Sequence, residues 1–169
     1  MAVLPVLKFP HKALQTKAAQ VPQVTDVERR FVKDMIDTMY AEGGVGLAAN
    51  QVGVLKQIFV ASPDQARGKE FVYFNPRIVR KEGEVKEFEG CLSVPELYEP
   101  VKRAKKVWIK AMTLSGEWME TAADGLLARI FQHEIDHLNG FLFIDRLGLL
   151  KSKSVRRRLS RRHAASSKK

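Results

Sequence analysis

Cysteine is nearly missing from this chain: Cys91 is the only one in 169 residues. An internal disulfide is therefore excluded, and any importance of Cys91 must lie in packing, reactivity or metal ligation. Long apolar runs are missing as well. No stretch approaches the roughly 18 to 20 apolar residues that a membrane span needs, so no membrane partner is expected. Met1 to Pro10 lacks the charged-then-apolar order of a secretory signal, which makes the expected location cytoplasmic. There is no internal repeat. The one glycine-rich stretch has neither the lysine of a phosphate loop nor the spacing of the dinucleotide fingerprint, and nucleotide binding is discarded. Acids, finally, are absent from the end of the chain. Lys151 to Lys169 hold nine Lys or Arg and no Asp or Glu, leaving 20 basic against 19 acidic residues in positions 1 to 150. Nearly all of the net charge of +10 thus sits in the tail. Two readings of it stand: a solvated, partly disordered end, or an electrostatic arm for RNA that gains affinity by releasing counterions from phosphates.

What is present is enough for one domain with a substantial core. Thr25-Asp26-Val27-Glu28 reads as a capping box ahead of Val27, Phe31, Met35, Ile36 and Met39 at helical spacing, which predicts an amphipathic helix ending near Gly43-Gly44. Short β-rich runs follow at Gln57 to Ala61, Phe71 to Phe74 and Val107 to Met112, separated by Pro and Gly, and predict mostly antiparallel strands. Asp124 offers an N-cap for a second helix. Leu126, Leu127, Ile130, Phe131, Ile135 and Leu138 supply its apolar face, and Asn139-Gly140 its stop. The expected class is α+β, a compact single domain over residues 1–150 with two helices flanking antiparallel strands, and a basic extension over 151–169.

The second helix carries His133-Glu134-Ile135-Asp136-His137. Residues four apart share a helix face, so both imidazoles can converge on one ion while Glu134, roughly 100° round the axis, stands beside it as a base. A catalytic site of this kind usually takes three protein ligands and leaves one position for water. Zinc proteases draw the third from downstream, but here the later Asp145 and His163 are poorly placed. Cys91, in Glu89-Gly90-Cys91-Leu92-Ser93, is the remaining strong candidate. Alone it would read as a small buried hydrophobe. A further segment, Gly43 to Gln51, has three glycines within four residues, which suits a close backbone approach to a ligand, and Gln51 offers an amide donor. Alone this signal is weak, and a glycine-rich helix terminus followed by small core residues is the more frequent explanation.

Taken together, Gly44-Val45-Gly46-Leu47-Ala48-Ala49-Asn50-Gln51, Glu89-Gly90-Cys91-Leu92-Ser93 and Gln132-His133-Glu134-Ile135-Asp136-His137 resemble, in order and spacing, the three signature motifs of peptide deformylases. The resemblance implies antiparallel strands packed around a central metal-binding helix, with Cys91, His133 and His137 as ligands. It implies one divalent ion, natively ferrous iron, with zinc, nickel or cobalt able to replace it. Glu134 would move the proton, and the Gln51 amide and the Leu92 backbone N–H would hold the oxyanion. The implied substrate is the N-formyl-methionyl nascent polypeptide, bound in extended form beside Gly46 with its methionine walled by Val45, Leu126 and Ile130. Some bacterial members dock a basic extension on the ribosome, which the resemblance extends to this tail as an rRNA contact; a monomer is favoured. The chain departs from many bacterial members at Tyr98, where they carry an arginine. Two rival readings remain at this level. One is a metallopeptidase using the same histidines, which the missing downstream ligand opposes; the other is a ribosome- or RNA-binding protein with a structural metal, which a fourth protein ligand would favour.

Overall fold

The computed structural model describes residues 2–166. Met1 and positions 167–169 lie outside the described residues, so the last lysines of the 151–169 run, Lys168 and Lys169, do too. The elements are α1 (Asp26–Ala41), β1 (Gly46–Ala48), β2 (Ile58–Ala61), β3 (Phe71–Glu82), β4 (Val85–Cys91), β5 (Val94–Arg103), β6 (Lys106–Met112), β7 (Trp118–Asp124), α2 (Gly125–Leu138) and α3 (Leu149–Ser166), with short 3-10 turns at Lys12–Gln15, Ala49–Val52 and Phe143–Arg146. The class is α+β, as expected, with three α-helices rather than two.

Five strands form an antiparallel sheet in the order β1-β2-β3-β6-β7, and β4 pairs with β5 in a separate two-stranded sheet. Alternation along β2 explains why the larger sheet is covered twice. Ile58 and Val60 point into a cluster with Met35 and Met39 of α1, while Phe59 and Ala61 point into a cluster with Ile130, Phe131 and Leu138 of α2. Helix α2 is thereby pinned at the centre. A third cluster joins Val94, Leu97 and Val101 of β5 to Phe143, Ile144 and Val155.

Local signals fixed the helix ends well. Thr25 caps α1 by accepting from the Val27 N–H, and Glu28 answers with a carboxylate on the Thr25 N–H at 3.1 Å. Val27 itself was expected on the apolar face but is 60% exposed; Val32 takes the buried place. At α2 Asp124 makes no side-chain cap, because it still belongs to β7 and the chain turns into the helix at Gly125, φ +52. Gly140 ends α2 at φ +80, packed so closely on Gln15 that a Cβ would meet its backbone at 2.9 Å. As far as Ser166 the basic run does not leave the body as a loose end. It forms α3, which buries Val155 and sets Leu159 against the third cluster. The sequence reading missed this because the two apolar side chains, four apart, are outnumbered by charge.

Candidate active site

Two sequence-distant segments meet at α2. His133 and His137 lie one turn apart on its buried face, and Cys91 arrives from the end of β4, where the strand turns into β5. The His133 and His137 Nε2 atoms are 3.2 Å apart, and Cys91 Sγ is 3.2 Å from His137 Nε2. All three donor atoms fall within 4.8 Å of one another, the one such His, Cys, Asp or Glu cluster among the described residues. Two nitrogens each about 2.0 Å from a tetrahedral ion would stand about 3.3 Å apart, and a sulfur about 3.5 Å from either nitrogen. The donor set therefore fits a divalent ion, with the sulfur slightly close.

The rings are held from behind. His133 Nδ1 faces Glu89 Oε2 at 3.1 Å, which leaves Nε2 turned to the other donors. Glu89 is gripped in turn by Arg103, whose Nε and terminal nitrogen lie 2.8 and 2.9 Å from its two oxygens. Arg103 also reaches Asp136 at 2.6 Å, and Arg146 binds the same aspartate from the solvent side. Burial works against charge on Glu89, but the His133 ring and the Arg103 guanidinium outweigh it and hold the carboxyl at about 2. Burial and the neighbouring His133 both keep His137 neutral. On His133 burial acts the same way, yet the Cys91 sulfur and Glu89 overcome it and raise its pKa. The Asn50 side-chain amide donates to the His137 carbonyl, tying the 3-10 turn at Ala49–Val52 to the helix.

Glu134 sits between the two histidines and is buried, with Oε2 lacking a hydrogen-bond partner. Burial raises its carboxyl to about 7, Glu89 pushes the same way, and His133 and Arg103 oppose. Gly46 of β1 makes room for it, since a Cβ there would fall within the Glu134 carboxylate and 2.9 Å from Ile130 Cγ2. Gln51 is also buried. Its Oε1 accepts the Ala48 N–H at 2.8 Å, and its Nε2 points at Cys91 Sγ, 3.7 Å away, and Ser93 Oγ, 3.2 Å away. Leu92 lies in the turn between β4 and β5, with its carbonyl accepting from Lys8 Nζ at 2.8 Å. A cavity of about 490 Å³ opens over this group. It brings together Val45, Gly46, Gln51, Cys91, Leu92, Leu126, Ile130, His133 and Glu134, every expected site residue except His137, which lies beneath the floor and fully buried. Glu89, Arg103, Asp136, Asn50 and Ser93 were not singled out from sequence. The available signal was Arg103, a charged residue in step with the inward positions Leu97 and Val101 of β5.

Residues 3–153 match the family model described as polypeptide deformylase. The chain belongs to the polypeptide deformylase family. It is 45% identical over 161 residues to a peptide deformylase of Pseudoalteromonas translucida (strain TAC 125), covering 95% of this chain and 96% of that one. The crystal structure of a peptide deformylase from Legionella pneumophila superposes with a TM-score of 0.90 at 40% identity, covering 99% of both chains. A class I type b peptide deformylase from Acinetobacter baumannii, solved with Met-Ala-Ser bound, matches with a TM-score of 0.81 at 38% identity, covering 86% of this chain and 99% of that one. Members of the polypeptide deformylase family are metal-dependent hydrolases that remove the N-formyl group from new proteins, and the Cys91, His133 and His137 cluster agrees with metal binding. No helix among the described residues is long and apolar enough to cross a membrane.

Proposed function

We propose that this chain hydrolyses the N-formyl group of N-formyl-methionyl nascent polypeptides, giving formate and a free N-terminal amine. The observation that carries the reading is the convergence of one sulfur and two imidazole nitrogens beside a buried carboxylate with one oxygen unpartnered, at the base of an open cavity. A relative bound to Met-Ala-Ser supports the peptide class of the substrate.

Cys91, His133 and His137 would hold a divalent ion, proposed as ferrous iron with zinc, nickel or cobalt as replacements, whose Lewis acidity brings the pKa of water toward 7. Glu134, with its pKa near 7, takes the proton as water adds to the formyl carbon. The carbonyl oxygen becomes an oxyanion, and the Gln51 amide receives it by turning an N–H from Ser93, with the Leu92 backbone N–H as second donor. Collapse breaks the C–N bond, and Glu134 delivers the same proton to the departing amine. The peptide lies extended beside Gly46 at the edge strand β1, with the methionine side chain against Val45, Leu126 and Ile130.

Residues 1–150 are proposed as the catalytic domain, in a monomer acting in the cytoplasm, and 151–169 as an extension whose arginines contact the ribosome. Formate release from formyl-Met-Ala-Ser, measured anaerobically, tests the central reading. Protein loaded with Fe2+ or Zn2+ is expected to release formate and metal-stripped protein is not. No release with any ion would refute it.

A further inference from the structure

Two large aromatic side chains stand in water at the mouth of the catalytic cavity. Phe88 is 69% exposed and Tyr98 71%, and both line the opening. Their placement follows from the β4–β5 register. Phe88 pairs with Pro100, and Tyr98 lies two residues before Pro100, so period-two alternation puts both rings on the same side of this small sheet. Gly90, two residues beyond Phe88 on that side, lets the Tyr98 ring lie flat over the strand, because a Cβ there would meet the ring at 2.5 Å. The opposite side of the hairpin carries the buried Glu89, Val101 and Arg103. The hairpin therefore turns its structural residues inward and an unshared aromatic surface toward the cavity mouth.

We propose that Phe88 and Tyr98 form a platform selecting for an apolar or aromatic side chain at the second or third residue of the substrate. This inference rests on the deformylase reading of the cavity. The occupant follows from continuity: an extended chain advances about 3.3 Å per residue, so a peptide whose formyl group lies between Cys91 and Glu134 reaches the rim two to three residues on. Charge at the opening is mixed and solvated: Glu42 and Glu96 stand 3.9 and 3.8 Å from Lys8 and Arg162, and Arg129 of the lining stands 3.8 Å from Glu87, so the aromatic surface offers the stronger selectivity. An aromatic pair contributes about a three- to tenfold preference.

The test compares kcat/KM on formyl-Met-Phe-Ser, formyl-Met-Ala-Phe, formyl-Met-Ala-Ser and formyl-Met-Gly-Asp for the parent, Phe88→Ala, Phe88→Leu and Tyr98→Ala. The parent is expected to favour a phenylalanine substrate over Gly-Asp by three- to tenfold, mostly through KM. The ratio should fall toward one in Phe88→Ala, be partly kept in Phe88→Leu, and drop in Tyr98→Ala. Phe88 is too exposed for its loss to unfold the hairpin, and thermal melting checks Tyr98→Ala. A parent without preference, or an unchanged ratio in Phe88→Ala, overturns the platform. Absence of formate from every substrate would instead fail the activity itself, so the two failures are distinct.

Discussion

Glu134 does its proposed work because of what it is denied. Buried, with one oxygen unpartnered, its carboxyl is lifted to about 7, where a group can both accept and return a proton near neutrality. Glu134→Gln keeps the shape and removes that capacity, so turnover is expected to fall by about 100- to 10,000-fold, with the metal content found by elemental analysis unchanged. Gly46→Ala attacks the same carboxylate from outside, since the new methyl group would collide with Glu134 and Ile130. Overpacking of this sort costs about 1 to 3 kcal/mol; melting together with kcat should show a larger loss of rate than of stability. At this scale the sequence was most informative. The spacing of His133, Glu134 and His137 sets their shared helix face, whereas the orientation of His133 by Glu89 needed β4 folded onto α2, which spacing alone cannot express.

Among the elements, α1 shows how local sequence specifies structure and how far that goes. Its capping box was legible in four consecutive residues, but Lys56, which binds Glu28 at 2.6 Å from a loop 28 residues away, was not. The contact with Lys56, followed by that with Thr25, lowers the Glu28 carboxyl to about 2 from 4.5. A carboxyl depressed on folding contributes stability that is fully present above about pH 4.5 and is lost as pH falls through about 2. Gln at this position still closes the capping box, so Glu28→Gln loses the charge that meets the half-exposed Lys56 and should be less stable than the parent by about 1 kcal/mol at pH 7. Chemical denaturation should find that gap closing between pH 4.5 and 2; a constant gap would contradict the assignment. The β4–β5 hairpin was the least legible element. Its run of Lys, Glu and Pro masks the alternation, and only its pairing explains why Glu89 and Arg103, 14 residues apart, share a buried face.

At the scale of the molecule, charge is sorted onto α3. The helix docks through Val155 and Leu159 and leaves Arg157, Arg158 and Arg161 exposed, an arrangement invisible to a reading of composition. If those arginines engage phosphates, replacing all three by Gln should lower the slope of log affinity against log salt by about 2 to 3 for ribosomal RNA. Filter binding across a salt series measures it, and an unchanged slope would remove α3 from RNA contact. The helix is also fastened to the wall of the cavity: Lys151 and Arg162 reach Glu99 and Glu96 of β5, and Glu96 lines the opening. A polyanion moored along α3 would thus hold the doorway beside itself, and a peptide emerging from the same particle would be met at an effective concentration of the order of millimolar, however dilute the surrounding solution.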